Sequence, residues 1–189
     1  GPRQLAVFAS LGSPAQIEAV LSVLATILLV RVTGVEGAGR VFFAQAVATV
    51  ECVAPGRLRF LASIGGQPAD RRFGFALPPA RERIAWLDEW LAALRRLWAG
   101  ECVTVHGRYL SLDEALVRPP PRGGRMPIEV GGAGARLLQV VARRADRWDL
   151  NIPPVARLVR DATSQLAAAC RAIDRDPASI GRSMWLFAR

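Results

Sequence analysis

The chain has 189 residues, 51% of them apolar, which is the span of one ordinary domain with enough apolar material for a core. Its net charge is +9 and all 25 basic residues are arginine, but these run from Arg3 to Arg189 in singles and pairs, so the charge reads as an attraction for anionic cofactors or substrates and nucleic-acid binding is not expected. The apolar run from Ile17 to Val30 is interrupted by Glu18 and followed by Arg31, and no leader with a small-residue cleavage site opens the chain; a soluble, cytoplasmic protein without membrane contact is expected.

Taken in order, the elements alternate. Ile27 to Thr33 reads as a strand ending at Gly34. Val41 to Val53 carries helical periodicity (Phe42, Phe43, Ala46, Val47, Val50) and stops at Pro55-Gly56, a turn signal. Arg57 to Ser63 alternates as a strand and stops at Gly65-Gly66. Arg81 to Trp98 places Ile84, Leu87, Leu91, Leu94 and Trp98 on one face of an amphipathic helix. A hairpin-like stretch follows around Val103 to Leu110, then a proline- and glycine-rich loop from Arg118 to Arg125.

Met126 to Val130 is a short strand that breaks at Gly131-Gly132-Ala133-Gly134 and opens directly into a helix marked by Leu137, Leu138, Val140 and Val141. Glycines there let backbone N–H groups approach a ligand, and the helix amino terminus behind them favours negative charge, so phosphate is the expected guest. Close strand–helix packing would account for the same glycines. A strand at Arg147 to Asn151, a long helix from Pro153 to Ile173 and a last strand at Ser183 to Phe187 complete the series.

Repeated β-α units predict a parallel sheet with helices outside it, and ligands beyond the carboxyl ends of its strands. Gly34, Gly65-Gly66 and Gly131-Gly132 each directly follow a strand, which favours one shared ligand-binding face over three unrelated turns. Cysteines and histidine offer little chemistry. Cys52 and Cys170 fall on apolar helical faces as inert thiols, Cys102 stands apart, and His106 has no nearby ligand partner and reads as surface or turn packing. Neither a disulfide nor a metal site is expected.

The order of motifs resembles the luciferase-like monooxygenase family, the bacterial-luciferase-type barrels that use FMN or the deazaflavin coenzyme F420. Phe43 to Thr49 through Pro55-Gly56-Arg57-Leu58 is similar to that family's helix and turn into its fourth strand, and Gly65-Gly66 through Arg72-Phe73-Gly74 to the loop after it. Arg81-Glu82-Arg83 with Leu94, Leu97 and Trp98 resembles the helix before the family's insertion, and Val105-His106-Gly107-Arg108-Tyr109 a signature within that insertion. Pro127 to Gly134, then Ala145-Asp146-Arg147-Trp148, then Arg175 to Ile180 are similar to three later motifs in the same order.

The resemblance implies an α/β fold of the TIM (β/α)8-barrel type. Residues 1–189 would be one partial domain with an insertion at about 101–126, in which strands three to seven are recognisable. The N-terminal strands and the last strand are missing or replaced, with Gln4 to Ala9 a candidate replacement. It also implies roles. Gly131, Gly132, Ala133, Gly134 and Ala135 would cradle the cofactor phosphate through backbone N–H groups, helped by the dipole of the helix from Arg136. Ser63, Gly65 and Gly66 would form the opposite wall, Thr33, Gly34 and Val35 would lie under the ring system, and Trp148 would pack at the end of strand six.

No catalytic residue is assigned. Glu36 reads as a solvated carboxylate, and Glu129 as an acid, a base or the partner of an arginine in the barrel interior. The implied activity is hydride transfer or monooxygenation of a small organic substrate with F420 or FMN, with a non-catalytic remnant of the fold as the alternative. Unpaired strand edges in an incomplete barrel imply a homodimer or other oligomer.

Overall fold

The computed structural model describes residues 27–29, 38–65 and 78–184. Its elements in chain order are β1 (Ile27–Leu29), α1 (Ala38–Val53), β2 (Arg59–Ala62), α2 (Ala80–Trp98), β3 (Val103–His106), β4 (Ser111–Ala115), β5 (Ile128–Gly131), α3 (Ala135–Arg144), β6 (Arg147–Asp149), α4 (Ala156–Arg171) and β7 (Gly181–Ser183). Strands β1, β2, β5, β6 and β7 form one all-parallel sheet in that order, while β3 and β4 pair as a separate antiparallel hairpin. Setting the hairpin aside, every strand lies beside its predecessor in sequence. A doubly wound sheet reverses its order at a switch point; an order that never reverses is the wall of a (β/α) barrel.

Alternation along the strands separates two faces. Phe60, Ile128, Val130 and Trp148 point to the helices and pack with Val47, Leu91, Leu94, Trp98, Leu138 and Leu166 in one continuous core. The Phe60 and Trp98 rings meet edge to face at 5.0 Å, and the Trp98 indole N–H donates to Ala44 O at 3.1 Å, tying α2 to α1. The helical period read for α2 holds: Leu87, Leu91, Leu94 and Trp98 are buried, with Trp90 and Leu97 joining them.

The hairpin between α2 and β5 is anchored by hydrogen bonds. The Glu89 carboxylate accepts from Tyr109 N at 2.8 Å, and the Arg40 guanidinium donates to Tyr109 O at 3.0 Å. Its second strand runs over Ser111–Ala115, beyond the stretch that the sequence pattern marks. Helix α4 starts at Ala156, with Val155 at its amino cap still extended (φ −97°, ψ 120°), so Pro153 and Pro154 precede the helix where the sequence pattern begins it at Pro153. The last strand is Gly181–Ser183 where apolar residues point to Ser183 to Phe187; residues 185–187 lie outside the described residues. Gly181 N–H donates to Asp146 O at 2.9 Å, so pairing with β6 places this strand and apolar content does not.

Candidate cofactor site

The carboxyl ends of β2, β5 and β6 meet at one rim. Ala62 pairs with Val130 and Gly131 with Asp149, which sets residues 63–65 beside residues 131–135. Of the residues that the sequence assigns to the site, Ser63, Gly65, Gly131, Gly132, Ala133, Gly134 and Ala135 come together here. Thr33, Gly34, Val35 and Gly66, like Glu36, lie outside the described residues.

The turn after β5 is backbone built. Gly134 stands at the amino cap of α3 with φ +126°, supplies no side-chain cap, and accepts the first intrahelical bond from Leu138 N at 2.9 Å. The N–H groups of the first turn of α3 therefore have no acceptor within the helix. Residues 133–136 are exposed, and an atom added at the Gly134 Cβ position meets nothing within 4 Å. Partial positive charge, open backbone donors and free space coincide, which is the requirement for holding an anion. Arg136, in the first turn of α3, is exposed as well and adds a full charge to that end.

Gly132 has a different part from the one the sequence suggests. Its N–H is expected to donate to a ligand; it donates to Asp149 O at 3.0 Å, while Gly132 O accepts from the Trp148 indole at 2.8 Å. Both polar groups of Gly132 are committed to β6, so it shapes the turn. Its φ of +124° suits glycine, and a Cβ there would come 2.7 Å from Leu137 Cδ2. Trp148 is likewise indirect. Its ring is fully buried among core residues, so it fixes the turn from behind.

On the β2 side, the Ser63 hydroxyl accepts from Gly65 N at 3.3 Å. Arg83 holds this turn from α2, donating to Ile64 O at 2.8 Å and to Pro78 O at 2.9 Å. Asp149, which carries no signal of its own in the sequence, is buried on the inner face beside Gly131; its Oδ2 lies 3.6 Å from where a Gly131 Cβ would be. This carboxylate, one of several charged residues between Arg143 and Asn151, becomes notable only when the sheet brings it to the rim.

The amino-terminal half of the same sheet is ionic. Glu129 accepts from Arg59 Nη2 at 2.6 Å and from the Ser183 hydroxyl, with Arg147 Nε at 3.9 Å, so its carboxylate is the partner of barrel-interior arginines. Asp146, just before β6, accepts from Ile128 N at 2.8 Å, Arg95 at 2.8 Å and Arg125 at 2.6 Å. Burial by itself would push the Asp146 carboxyl up, but the Ile128 amide and the two guanidinium groups together hold it below its ordinary value.

His106 is exposed on the hairpin with Nδ1 3.5 Å from Ser111 Oγ, away from the rim. Cys170 is buried, and that burial pushes its thiol pKa up; Cys52 is half-buried against Pro120 O and Cys102 is exposed. Among the described residues no helix is long and apolar enough to cross a membrane.

Comparison with known proteins agrees with the architecture. Residues 41–187 match the luciferase-like monooxygenase family. An F420-dependent glucose-6-phosphate dehydrogenase of Beutenbergia cavernae is 34% identical over 103 residues, covering 54% of this chain and 30% of that protein. An F420-dependent hydroxymycolic acid dehydrogenase of Mycobacterium tuberculosis is 30% identical over 147 residues, 77% of this chain and 39% of that protein.

Among solved structures, an F420-dependent secondary alcohol dehydrogenase in complex with an F420-acetone adduct superposes with a TM-score of 0.72 at 19% identity, over 93% of this chain and 54% of that one. A long-chain alkane monooxygenase gives 0.71 at 16% identity, over 90% and 45%. At such identities these two speak for the fold. The match covers 30% and 39% of the length of the two sequence relatives. The unreversed parallel sheet, the glycine turn into α3 and the match over residues 41–187 lead to one assignment: this chain belongs to the luciferase-like monooxygenase family.

Proposed function

We propose that this chain is the cofactor-binding wall of a luciferase-like oxidoreductase, with residues 133–135 and the first turn of α3 holding the phosphate of F420 or FMN. The observation that carries the reading is the uncapped, exposed amino terminus of α3 at the carboxyl rim of a parallel barrel wall. The residues present fit a phosphate: glycine and alanine leave the backbone open, and the Gly132 clamp fixes the turn before any ligand arrives. Ser63 and Gly65 form the facing wall, and the family resemblance adds Thr33, Gly34, Val35 and Gly66 as further contacts. Trp148 acts through the turn that it anchors.

The sequence relatives named for F420 favour the deazaflavin over FMN. When bound, such a cofactor exchanges hydride with a small organic substrate, and FMN with oxygen also supports monooxygenation. The chain's own contribution is to bind, orient and fix the phosphate end, a role that needs no Ser-His-Asp set, and among the described residues the site holds none. Residues 1–189 would form one partial barrel domain with an insertion at about 101–126, working as a homodimer or other oligomer.

Fluorescence titration of the full chain with F420, and in parallel with FMN, tests this reading. Saturable binding of F420 that competes with inorganic phosphate is expected. Absence of binding by either cofactor would sink it in favour of a non-catalytic remnant of the fold.

A further inference from the structure

The basic charge of the chain is gathered by the fold. Six of its 25 arginines, Arg95, Arg96, Arg125, Arg143, Arg144 and Arg175, line one open cavity of about 620 Å³. It lies where the carboxyl ends of α2 and α3 meet the residues leading into β5, β6 and β7. That is the amino-terminal side of the sheet, across the wall from the cofactor rim. Ala92, Ala99 and Gly124, all small, leave the space between the guanidinium groups open.

Part of this cluster is structural. Arg175 donates to Ala142 O at 2.7 Å and to Ala145 O at 2.8 Å, and Arg95 donates to Arg144 O at 2.9 Å and to Asp146. These two cover the carbonyls at the end of α3 that would otherwise repel an anion. The other four are less engaged. Arg96 gives Nε to Glu101 at 2.8 Å and Arg125 gives Nη2 to Asp146 at 2.6 Å. Arg143 gives Nη2 to Asp88 at 2.8 Å, and Arg144 gives Nε to the same carboxylate at 2.7 Å. Each of the four thus has one of its three guanidinium nitrogens bonded among the described residues, and each side chain is more than a third exposed.

The carboxylates paired with the cluster are three, Asp146, Asp88 and Glu101, which leaves three of the six positive charges uncompensated. Arg95 Nη1, moreover, is buried with no acceptor among the described residues, a cost that a nearby anion offsets.

We propose that this basin is a second anion site, separate from the cofactor rim, and that it takes a polyphosphate: a chain of two or three phosphoryl groups, free or carried by a nucleoside. Charge sets the class. A single phosphoryl group of about −1.5 to −2 leaves the basin positive, whereas a linked chain matches it. Guanidinium forks on opposite walls suit successive phosphoryl oxygens, each able to bind them in pairs. Nucleic acid is a poorer fit, because its backbone follows an extended basic track, not a pit between two helix ends.

Isothermal titration calorimetry of the full chain at about 0.15 M ionic strength, with inorganic phosphate, tripolyphosphate and ATP as probes, is the test. Tripolyphosphate is expected at one saturable site, about tenfold or more tighter than inorganic phosphate. ATP binding no tighter than tripolyphosphate points to the chain alone as ligand, ATP binding tighter points to a nucleotide, and either supports the site. Arg96→Gln combined with Arg143→Gln should weaken tripolyphosphate about tenfold or more. Its melting temperature should stay as in the parent, because Glu101 is exposed and Asp88 keeps Arg144. Arg96→Gln alone should weaken binding severalfold. Arg157→Gln combined with Arg160→Gln, the same loss of charge on the exposed side of α4, should have little effect. Ala135→Glu at the rim should leave tripolyphosphate binding intact, which separates this site from the cofactor one. Absence of saturable tripolyphosphate binding overturns the proposal, as does an equal loss in the two arginine pairs or a loss confined to Ala135→Glu.

Discussion

The two ends of the one parallel sheet are made of different material. At the carboxyl rim the work is done by backbone: glycines at positive φ, an uncapped helix terminus, and side chains such as Trp148 that act only by pinning a main-chain carbonyl. At the amino end it is done by charged side chains, with Asp146 gathering Arg95, Arg125 and the Ile128 amide, and Glu129 gathering Arg59. A barrel wall separates stability from cofactor binding in this way, since carboxylates below the sheet can be fully committed to their partners while the backbone above must keep donors open.

Substitutions of these carboxylates should therefore move stability, and those at the rim cofactor affinity. Asp146→Asn is expected to have the largest effect. It strips the charge that two guanidinium groups and an amide share, and with charge-assisted bonds worth about 1.5–3 kcal/mol each before compensation, a loss of about 3 kcal/mol in urea unfolding is expected, with cofactor affinity in the folded chain unchanged.

The same residue sets an acid dependence. Its folded pKa lies below the ordinary 3.8, so its contribution is complete above that value and drains away as pH falls through the folded pKa. Stability of the parent should decline below about pH 4 from this group, and that part of the decline should vanish in Asp146→Asn. An acid slope identical in the two proteins would remove Asp146 from the account.

Ala135→Glu should do the reverse of Asp146→Asn. A carboxylate in the first turn of α3 suits the helix dipole and should leave stability equal or raised by about 0.3–1 kcal/mol. It would also repel an incoming phosphate, costing an expected tenfold to hundredfold in F420 affinity by fluorescence titration. A variant that loses stability but binds normally would mean that the rim is not a phosphate site.

Trp148→Phe sits between the two regimes. It leaves the core ring but removes the donor to Gly132 O, so about 1–2 kcal/mol of stability should go together with a severalfold loss of cofactor affinity. Stability alone moving would show that the turn holds its shape without the clamp. Ser183→Ala should be the mildest, about 1 kcal/mol by urea unfolding with no change in affinity, since Glu129 keeps Arg59.

What was legible in the sequence was local and periodic. The buried face of α2, the glycine break after Val130 and the opening of α3 follow from hydrophobic spacing and from glycine between a strand and a helix, and the chain order of such units was enough to call for a parallel sheet, with the barrel implied by the family resemblance. Glu129 pairing with arginine in the interior was among the alternatives because a mid-strand carboxylate must find a partner.

Only the tertiary structure decided the rest. Gly132 changes from donor to hinge because β6 takes both of its polar groups, and β7 runs over Gly181–Ser183, tied to Asp146 O through Gly181 N–H, where the sequence pattern points to Ser183 to Phe187. Asp149 reaches the rim and Asp146 gathers its arginines through strand register and through side chains from 21 and 51 residues away. Spacing along the chain reports what one element wants to bury, whereas which polar groups are already satisfied, and so which remain for a ligand or a partner, is fixed only when the elements meet.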